Sequence, residues 1–395
     1  MAPGVERGRV AREEYTFDAQ ILACGGGSVH VLVVDERAVG HRLGQTVYDE
    51  SGRVLLNAGT ALTSAYIASL RHRGYRTVYG MNDLAPDLMF HDAIREETRA
   101  RATVIVRDTL RKAAVGRSID VHGLRDMVDQ ILEDLRGNSD VAFSVSTLRS
   151  VDEYTFAHSV NVCIFSLILG MSLALDQGAI RQLGIGALLH DIGKMNYLDL
   201  VNKPGRLTPD EFTQMQQHTT DGYEMLRQHN EVHLFSAHVA YQHHERLDGS
   251  GYPRGLRNEQ ILRFARIAAV ADVYDAITSD RPYSAGTPPH EAMHVLLSEA
   301  GSKFDSYMVR QFAQRIAVYP VGAIVLLADG RIGVVCDQSE DGPSKPRVRV
   351  LTDLDRHLMS HPEEMVAEGK AAVASVLSDY PPSLRRAIAS AGAGE

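Results

Sequence analysis

The 395-residue sequence has no run of about 20 unbroken apolar residues, the length a helix needs to cross a membrane. The nearest candidate, Val162 to Leu175, is interrupted by Ser166, Gly170 and Ser172, so no membrane span is expected. Met1 to Tyr15 is charged and lacks the apolar core of a secretory signal, which places the expected protein in the cytoplasm. Cysteine is scarce. Cys24, Cys163 and Cys336 are odd in number and far apart, which argues against both a disulfide framework and a thiolate zinc cluster. Positive charge is also in deficit: 41 Lys and Arg against 50 Asp and Glu leave a net charge of −9. That balance disfavours a broad basic face for a nucleic-acid polymer, although a small anion can still bind where metals or a few cations gather. What the chain has in quantity is histidine, 17 residues, several of them clustered.

The length favours two or three folding units, and the class is mainly α. Residues 1–84 read as a small β-rich N-terminal module of regulatory character. Val29 to Val34 is a short apolar run. Asp49-Glu50-Ser51-Gly52 is turn chemistry between Gln45–Tyr48 and Arg53–Leu56, and Ser64 to His72 is a helix stopped by Gly74. Residues 85–319 are dominated by helical runs, among them Thr98–Ala114, His122–Arg136 and Gln177–Lys194. Thr208-Pro209-Asp210-Glu211 predicts a capped helix start, with Met215 and His218 on one face of the helix that follows. Residues 320–395 form an expected β-hairpin extension and tail. Ala323–Leu327, the turn Asp329-Gly330 and Ile332–Cys336 make the hairpin, and Arg347–Leu351 is a third candidate strand.

Chemistry concentrates in the helical part. Leu183, Ala187, His190 and Lys194 are spaced by four, three and four, so one helical stripe would end in an imidazole and an ammonium. A lone His in such a place is most simply a core imidazole bonded to a carbonyl. The adjacent Asp191 alters that reading, because an inward carboxylate needs a cation or several donors. Ile261, Ala265, Ala268, Asp272 and Ala276 form a second stripe with one carboxylate among small residues, for which an Arg from a neighbouring helix is the structural alternative. His158 enters an apolar face in the run Tyr154, His158, Asn161, Phe165. His218 and the pair His243-His244 follow. Adjacent imidazoles on a helix point about 100° apart, so both reach one ion only from a helix end, and a solvated polar turn is the plain alternative.

Together, five His and two Asp lie on or beside predicted helices. Helical bundles build metal sites from facing helices in this way. Nitrogen and oxygen donors without thiolate suit iron, manganese, cobalt or zinc. Seven ligands exceed one ion. Two divalent ions sharing a carboxylate, on the order of 3.5 to 4 Å apart, are the economical arrangement and serve phosphoester hydrolysis. Asp248-Gly249-Ser250-Gly251-Tyr252-Pro253 specifies an unusual turn directly after His243-His244-Glu245, at the mouth of such a site.

These residues resemble a known family. His190-Asp191, with His158 upstream and Asp272 downstream, is similar to the HD metal-dependent phosphohydrolase superfamily. The run from His243 to Pro253 resembles the signature of its HD-GYP branch, the bacterial cyclic di-GMP phosphodiesterases. The resemblance spans about Val151 to Tyr319, and Gly44 to Tyr79 looks more loosely like the β-rich module that often precedes this domain. It implies an all-helical HD-type catalytic bundle. His158, His190, Asp191 and Asp272 would hold one metal, and Asp191 would bridge to a second held by His218, His243 and His244, with iron or manganese the leading choices. Asp191 and Lys194 would be the catalytic residues, Lys194 contacting the scissile phosphate or its bound water. Arg281, Tyr252, Gly251 and Asp248 would bind substrate.

Two departures stand out. Tyr154 occupies the place of a Glu that binds a third metal in some members, so two metals are expected, and Ser284 replaces a frequent Lys three residues after Arg281. The implied reaction is attack by a metal-bridging hydroxide on cyclic di-GMP, giving pGpG and, where a second cycle follows, GMP. The alternatives are a hydrolase of another cyclic dinucleotide, or a cyclic-dinucleotide receptor with weak or no turnover, which Ser284 keeps open. A homo-oligomer or a signalling partner is compatible with either.

Overall fold

The computed structural model describes residues 29–49, 53–81, 85, 88, 92–138, 142–145, 154–203, 205–279, 286–339, 341–377, 381 and 384, without the side chains of His30, Val31 and Tyr154. In the N-terminal part, strand β1 (Val29–Val33) pairs antiparallel with β4 (Thr77–Met81), from Val29 opposite Met81 to Val33 opposite Thr77. Strands β2 (Val47–Tyr48) and β3 (Val54–Leu56) form the expected hairpin. Helix α1 (Ser64–His72) is capped by the Thr63 hydroxyl, which accepts from the Tyr66 amide. Its chain reverses at Gly74, whose φ of 81° is open to glycine at no steric cost. Leu32, Leu43, Leu62, Ile67, Leu70 and Val78 close this small core.

The helical part comprises α2 (Glu96–Ala114), α3 (Val121–Gly137), α4 (Tyr154–Ser172), α5 (Gln177–Leu188), α6 (Leu198–Val201), α7 (Pro209–Gln216), α8 (His218–Arg227), α9 (Leu234–Gln242), α10 (Arg263–Thr278), α11 (Pro289–Ser298) and α12 (Ser306–Ala313). Asp120 and Asp176 cap α3 and α5, and Thr208 with Glu211 makes the expected capping box on α7. Helix α4 lies at the centre and packs against α2, α5, α10 and α12. By length and composition its segment Thr155–Ser172 is apolar enough to cross a membrane. The reason for that apolarity is visible in the fold: Val160, Val162, Ile164, Leu167 and Leu169 are fully buried against neighbouring helices, and a helix apolar all round belongs in a core.

Two sequence expectations change here. The helix foreseen over Gln177–Lys194 ends at Leu188, and the chain turns through His190 and Asp191 into a 3-10 segment, Ile192–Tyr197. Leu183, Ala187, His190 and Lys194 therefore do not share one helical stripe. Helix α8 crosses at this point backbone to backbone: a Cβ on Gly193 would stand 2.0 Å from the His218 carbonyl oxygen. Likewise Met215 and His218 lie on separate helices, α7 and α8, joined through Gln217.

The C-terminal hairpin belongs to a larger structure. Strands β5 (Ile324–Leu327), β6 (Ile332–Asp337), β7 (Arg347–Thr352), β8 (Leu358–Val366) and β9 (Val373–Leu377) form one antiparallel sheet in the order β8-β7-β6-β5-β9. The edge strand β8 contains Ser360-His361-Pro362-Glu363-Glu364, exposed along its middle, so it carries no apolar alternation to betray it. One face of the sheet buries Ile324, Ile332, Val334 and Leu351 together with Ala85, Leu88 and Leu384. Ala85 and Leu88, read as the start of the helical part, thus pack with the sheet. The Gln338 side-chain amide donates to the Tyr319 carbonyl at 2.8 Å and ties sheet to bundle.

Candidate metal centre

Five helical elements converge on one place. His158 comes from the first turns of α4, His190 and Asp191 from the turn after α5, His218 from the first residue of α8, His243 and His244 from the end of α9, and Asp272 from the middle of α10. The apolar remainder of each helix is what drives these polar groups inward: all seven lie in or at the edge of the core, with His190 and His243 at 0% exposure and Asp191 at 1%. The adjacent pair His243-His244 approaches from a helix end, His243 being the cap residue of α9, so both rings can turn to one centre. The solvated-turn alternative does not hold for them.

Hydrogen bonds fix which nitrogen of each ring faces inward. His190 Nδ1 meets the Ala187 carbonyl at 2.8 Å, His218 Nδ1 the Met215 carbonyl at 2.6 Å, and His243 Nδ1 the Val239 and Ala240 carbonyls at 3.1 and 3.0 Å. A carbonyl only accepts, so Nδ1 is the donor in each ring and the neutral tautomer leaves a lone pair on Nε2. Burial, with the nearby Lys194 ammonium, pushes the His218 pKa down to about 3. Burial likewise lowers His243 and carries His244 well below the usual histidine range. These imidazoles are neutral at ordinary pH, the form that binds metal.

The inward lone pairs face carboxylate oxygens. His158 Nε2 lies 3.1 Å from Asp272 Oδ1, His190 Nε2 lies 3.3 Å from Asp191 Oδ2, and His218 and His243 Nε2 lie 3.4 and 3.6 Å from Asp191 Oδ1. His218 and His243 present Nε2 to each other at 3.5 Å, and His244 Nδ1 lies 3.7 Å from Asp272 Oδ2. Two acceptors in contact repel unless a cation sits between them. Donors about 2.1 Å from a common ion stand roughly 3.0 to 3.4 Å apart in octahedral or tetrahedral geometry, close to the separations observed. His190 Nε2 and Asp191 Oδ1 are buried without a hydrogen-bond partner among the described residues, a costly arrangement that a bound ion relieves. The donors fall into two groups able to hold an ion, His158 with His190 and Asp272, and Asp191 with His218, His243 and His244. Asp191 touches both, because Oδ2 faces His190 and Oδ1 faces His218 and His243.

Burial opposes the charge of Asp191, but His190, Lys194 and His243 together hold its carboxyl well below the usual carboxylate range. Asp272 is held low in the same way against burial, by the proximity of His158, His244 and His190. Lys194 places Nζ 2.6 Å from Asp191 Oδ2.

The loop after His244 is shaped from beneath. The buried Glu245 carboxylate accepts the Arg254 and Leu256 amides at 2.9 and 2.8 Å. A Cβ on Gly251 would stand 2.4 Å from the His244 carbonyl oxygen, so only glycine lets the loop lie against the ligand pair. Tyr252 sets its ring 4.6 Å from that of His244 and 6.4 Å from that of His218, at the rim of the centre. Asp248 is exposed and caps its own turn, accepting the Ser250 amide and hydroxyl at 2.9 and 2.6 Å. Arg281 and Ser284 lie outside the described residues, as does the side chain of Tyr154. Sequence reasoning gave no role to Asp275, which bonds the ligand candidate His158, or to Glu245, which holds the loop beyond the His pair. Their signal was three-residue spacing from Asp272 for the first and adjacency to the His pair for the second.

Residues 147–308 match the HD domain family, and residues 324–373 match a KOW domain associated with HD domain. A cyclic di-GMP phosphodiesterase of Pseudomonas aeruginosa, PA4108, is 39% identical over 298 residues, covering 74% of this chain and 72% of that protein. A cyclic di-GMP phosphodiesterase of Thermotoga maritima is 39% identical over 163 residues, 41% of this chain and 44% of that protein. A 3'3'-cGAMP-specific phosphodiesterase 1 of Vibrio cholerae is 38% identical over 152 residues, 37% of this chain and 34% of that protein. The chain belongs to the HD domain family, in its HD-GYP branch.

Proposed function

We propose that this chain is a metal-dependent phosphodiesterase that hydrolyses cyclic di-GMP to pGpG and, where a second cycle follows, GMP. The observation that carries the reading is the Asp191 carboxylate, whose two oxygens face two separate sets of nitrogen donors. Relatives named cyclic di-GMP phosphodiesterases support the substrate, and the first of them is similar over most of its length. A relative named for 3'3'-cGAMP favours a second substrate reading, a hybrid cyclic dinucleotide at the same site. In this reading residues 85–319 form the catalytic unit, 1–84 a regulatory module and 320–395 an extension.

His158, His190, Asp191 and Asp272 would hold one divalent ion, and Asp191, His218, His243 and His244 a second, with iron or manganese the leading choices for this nitrogen and oxygen donor set. Such a pair supplies a water activated near neutral pH and positive charge for the phosphoryl oxygens. The chain's own residues do the rest. Neutral imidazoles with Nδ1 already bonded keep Nε2 aimed and need no rearrangement when the site fills. The Lys194 ammonium, held by Asp191, stands where it can hydrogen-bond a phosphoryl oxygen and offset the charge that grows there in the transition state. Arg281 is assigned to another phosphate oxygen from its sequence position. Tyr252, backed by Gly251 and by the turn at Asp248, forms the rim that orients the dinucleotide and shields the reacting phosphate from bulk water.

The experiment is anaerobic incubation of the metal-replete full chain with cyclic di-GMP and, in parallel, 3'3'-cGAMP, followed by separation of products. Appearance of pGpG is the expected result; faster turnover of 3'3'-cGAMP would move the assignment to the hybrid dinucleotide, and no turnover of either would contradict it.

A further inference from the structure

His158 differs from the other inward-facing rings in how it is held. Its Nδ1 is bonded to a carboxylate, Asp275 Oδ2, at 2.7 Å, while His190, His218 and His243 are held by backbone carbonyls. Asp275 is fully buried on α10, one turn beyond Asp272, and receives two more donors on its other oxygen: the Asn161 amide at 2.8 Å and the Ser279 hydroxyl at 3.1 Å. Asn161 in turn accepts from Arg99 Nη1 at 2.6 Å, and Arg99 Nη2 donates to Asp92 at 2.8 Å. The direction of every bond is fixed by chemistry. A guanidinium only donates and an ionised carboxylate only accepts, so the Asn161 amide has one orientation and the His158 proton resides on Nδ1. The bonds run from α2 through α4 to α10 and back to a candidate metal ligand, almost wholly out of water.

We propose that Arg99, Asn161 and Asp275 are positioning residues which fix the tautomer and raise the donor strength of His158. The metal position built from His158, His190 and Asp272 is thereby tuned from helix α2. The inference rests on the two-metal reading and adds a dependence that the ligands alone do not contain. An imidazole hydrogen-bonded to a carboxylate is a better metal donor than one bonded to a neutral carbonyl, and loss of such a partner costs about 10- to 100-fold in metal affinity. Arg99 and Asn161 act one and two bonds further out, so their loss should act through Asp275 and not add to its removal.

The test is calorimetric titration of the metal-stripped full chain with Mn²⁺, with the Co²⁺ absorption spectrum as a second readout. Wild type is expected to show two binding events. Asp275→Asn should weaken one event by about 10- to 100-fold and leave the other within about twofold. Arg99→Gln, at a side chain that reaches the surface, should weaken the same event less, and the double variant no more than Asp275→Asn alone. Wild-type affinity for both events in Asp275→Asn and Arg99→Gln, with only thermal stability reduced, would overturn the relay and leave the two-metal reading standing. Absence of binding in wild type would overturn both. Should Asp275→Asn fail to fold, unchanged affinity and an unchanged Co²⁺ spectrum in Arg99→Gln would still overturn the relay.

Discussion

Asp191 is asked to do two things that burial makes difficult: to stay ionised inside the core and to turn each oxygen toward a different group of donors. Lys194 stands beside it at 2.6 Å, the distance of a strong ion pair. An ammonium there is well placed for transition-state charge but supplies no lone pair to a metal. Lys194→Ala should therefore retain its metal content and lose about 10²- to 10³-fold in kcat, the size expected for removal of one preorganised donor. Elemental analysis beside single-turnover kinetics checks this; full activity would remove Lys194 from the mechanism. At this scale the sequence was informative where a polar residue interrupted an apolar stripe, as at His158 and Asp272, and where a carboxylate stood beside an imidazole, as at His190 and Asp191. It was silent where the partner lay far along the chain: Asp275 and His158 are 117 residues apart, and no local pattern reports their bond.

Helix ends, more than helix faces, assemble the centre. His190, His218 and His243 each sit where a helix starts or stops, so the chain can aim the ring without distorting the helical ladder. The close crossing of α8 over the turn after α5 fixes His218 against Asp191, and Gly193 is the residue that permits it. Gly193→Ala should destabilise the protein by about 1 to 3 kcal/mol, as overpacking against backbone does, and weaken metal binding in the same variant. Denaturant unfolding of the metal-free protein checks the first part; a stability equal to wild type would mean that α8 moves away at no cost. Helix α1 was legible over Ser64–His72 from the spacing of Ile67 and Leu70 and the stop at Gly74, and the start of α7 because capping chemistry marks it at Thr208. The end of α5 was not, since Leu188 to Lys194 contains no proline and the stop is imposed by the crossing helix. Strand β8 escaped for the opposite reason: its pairing to β7 is carried by backbone hydrogen bonds, and its polar side chains say nothing of burial.

Across the whole molecule, the N-terminal β-rich part and the helical part meet at the start of α2. Burial is the main cause that raises the Glu96 carboxyl to about 7, with hydrogen bonds from the Thr46 backbone and hydroxyl opposing it and the charges of Glu97 and Asp92 adding to it. The folded chain thus holds this proton more tightly than the unfolded chain, whose carboxyl titrates near 4.5. The contribution of Glu96 to stability is greatest below that lower value and declines as pH rises toward about 7. Relative to Glu96→Gln, wild type should lose thermal stability across this window and hold a constant difference above it. A difference that does not change with pH would show that Glu96 is fully solvated at this junction. Because Glu96 and Arg99 share α2, the same helix that receives the N-terminal part also carries the outermost member of the relay to His158.

The proposed function stands on one buried carboxylate, Asp191, that joins two metal positions. Its most direct measurement is the metal content of the full chain after anaerobic reconstitution with manganese, determined beside that of Asp191→Ala. Two ions per wild-type chain and loss of both in the variant are predicted; one ion or none in wild type, or two retained by Asp191→Ala, would contradict it.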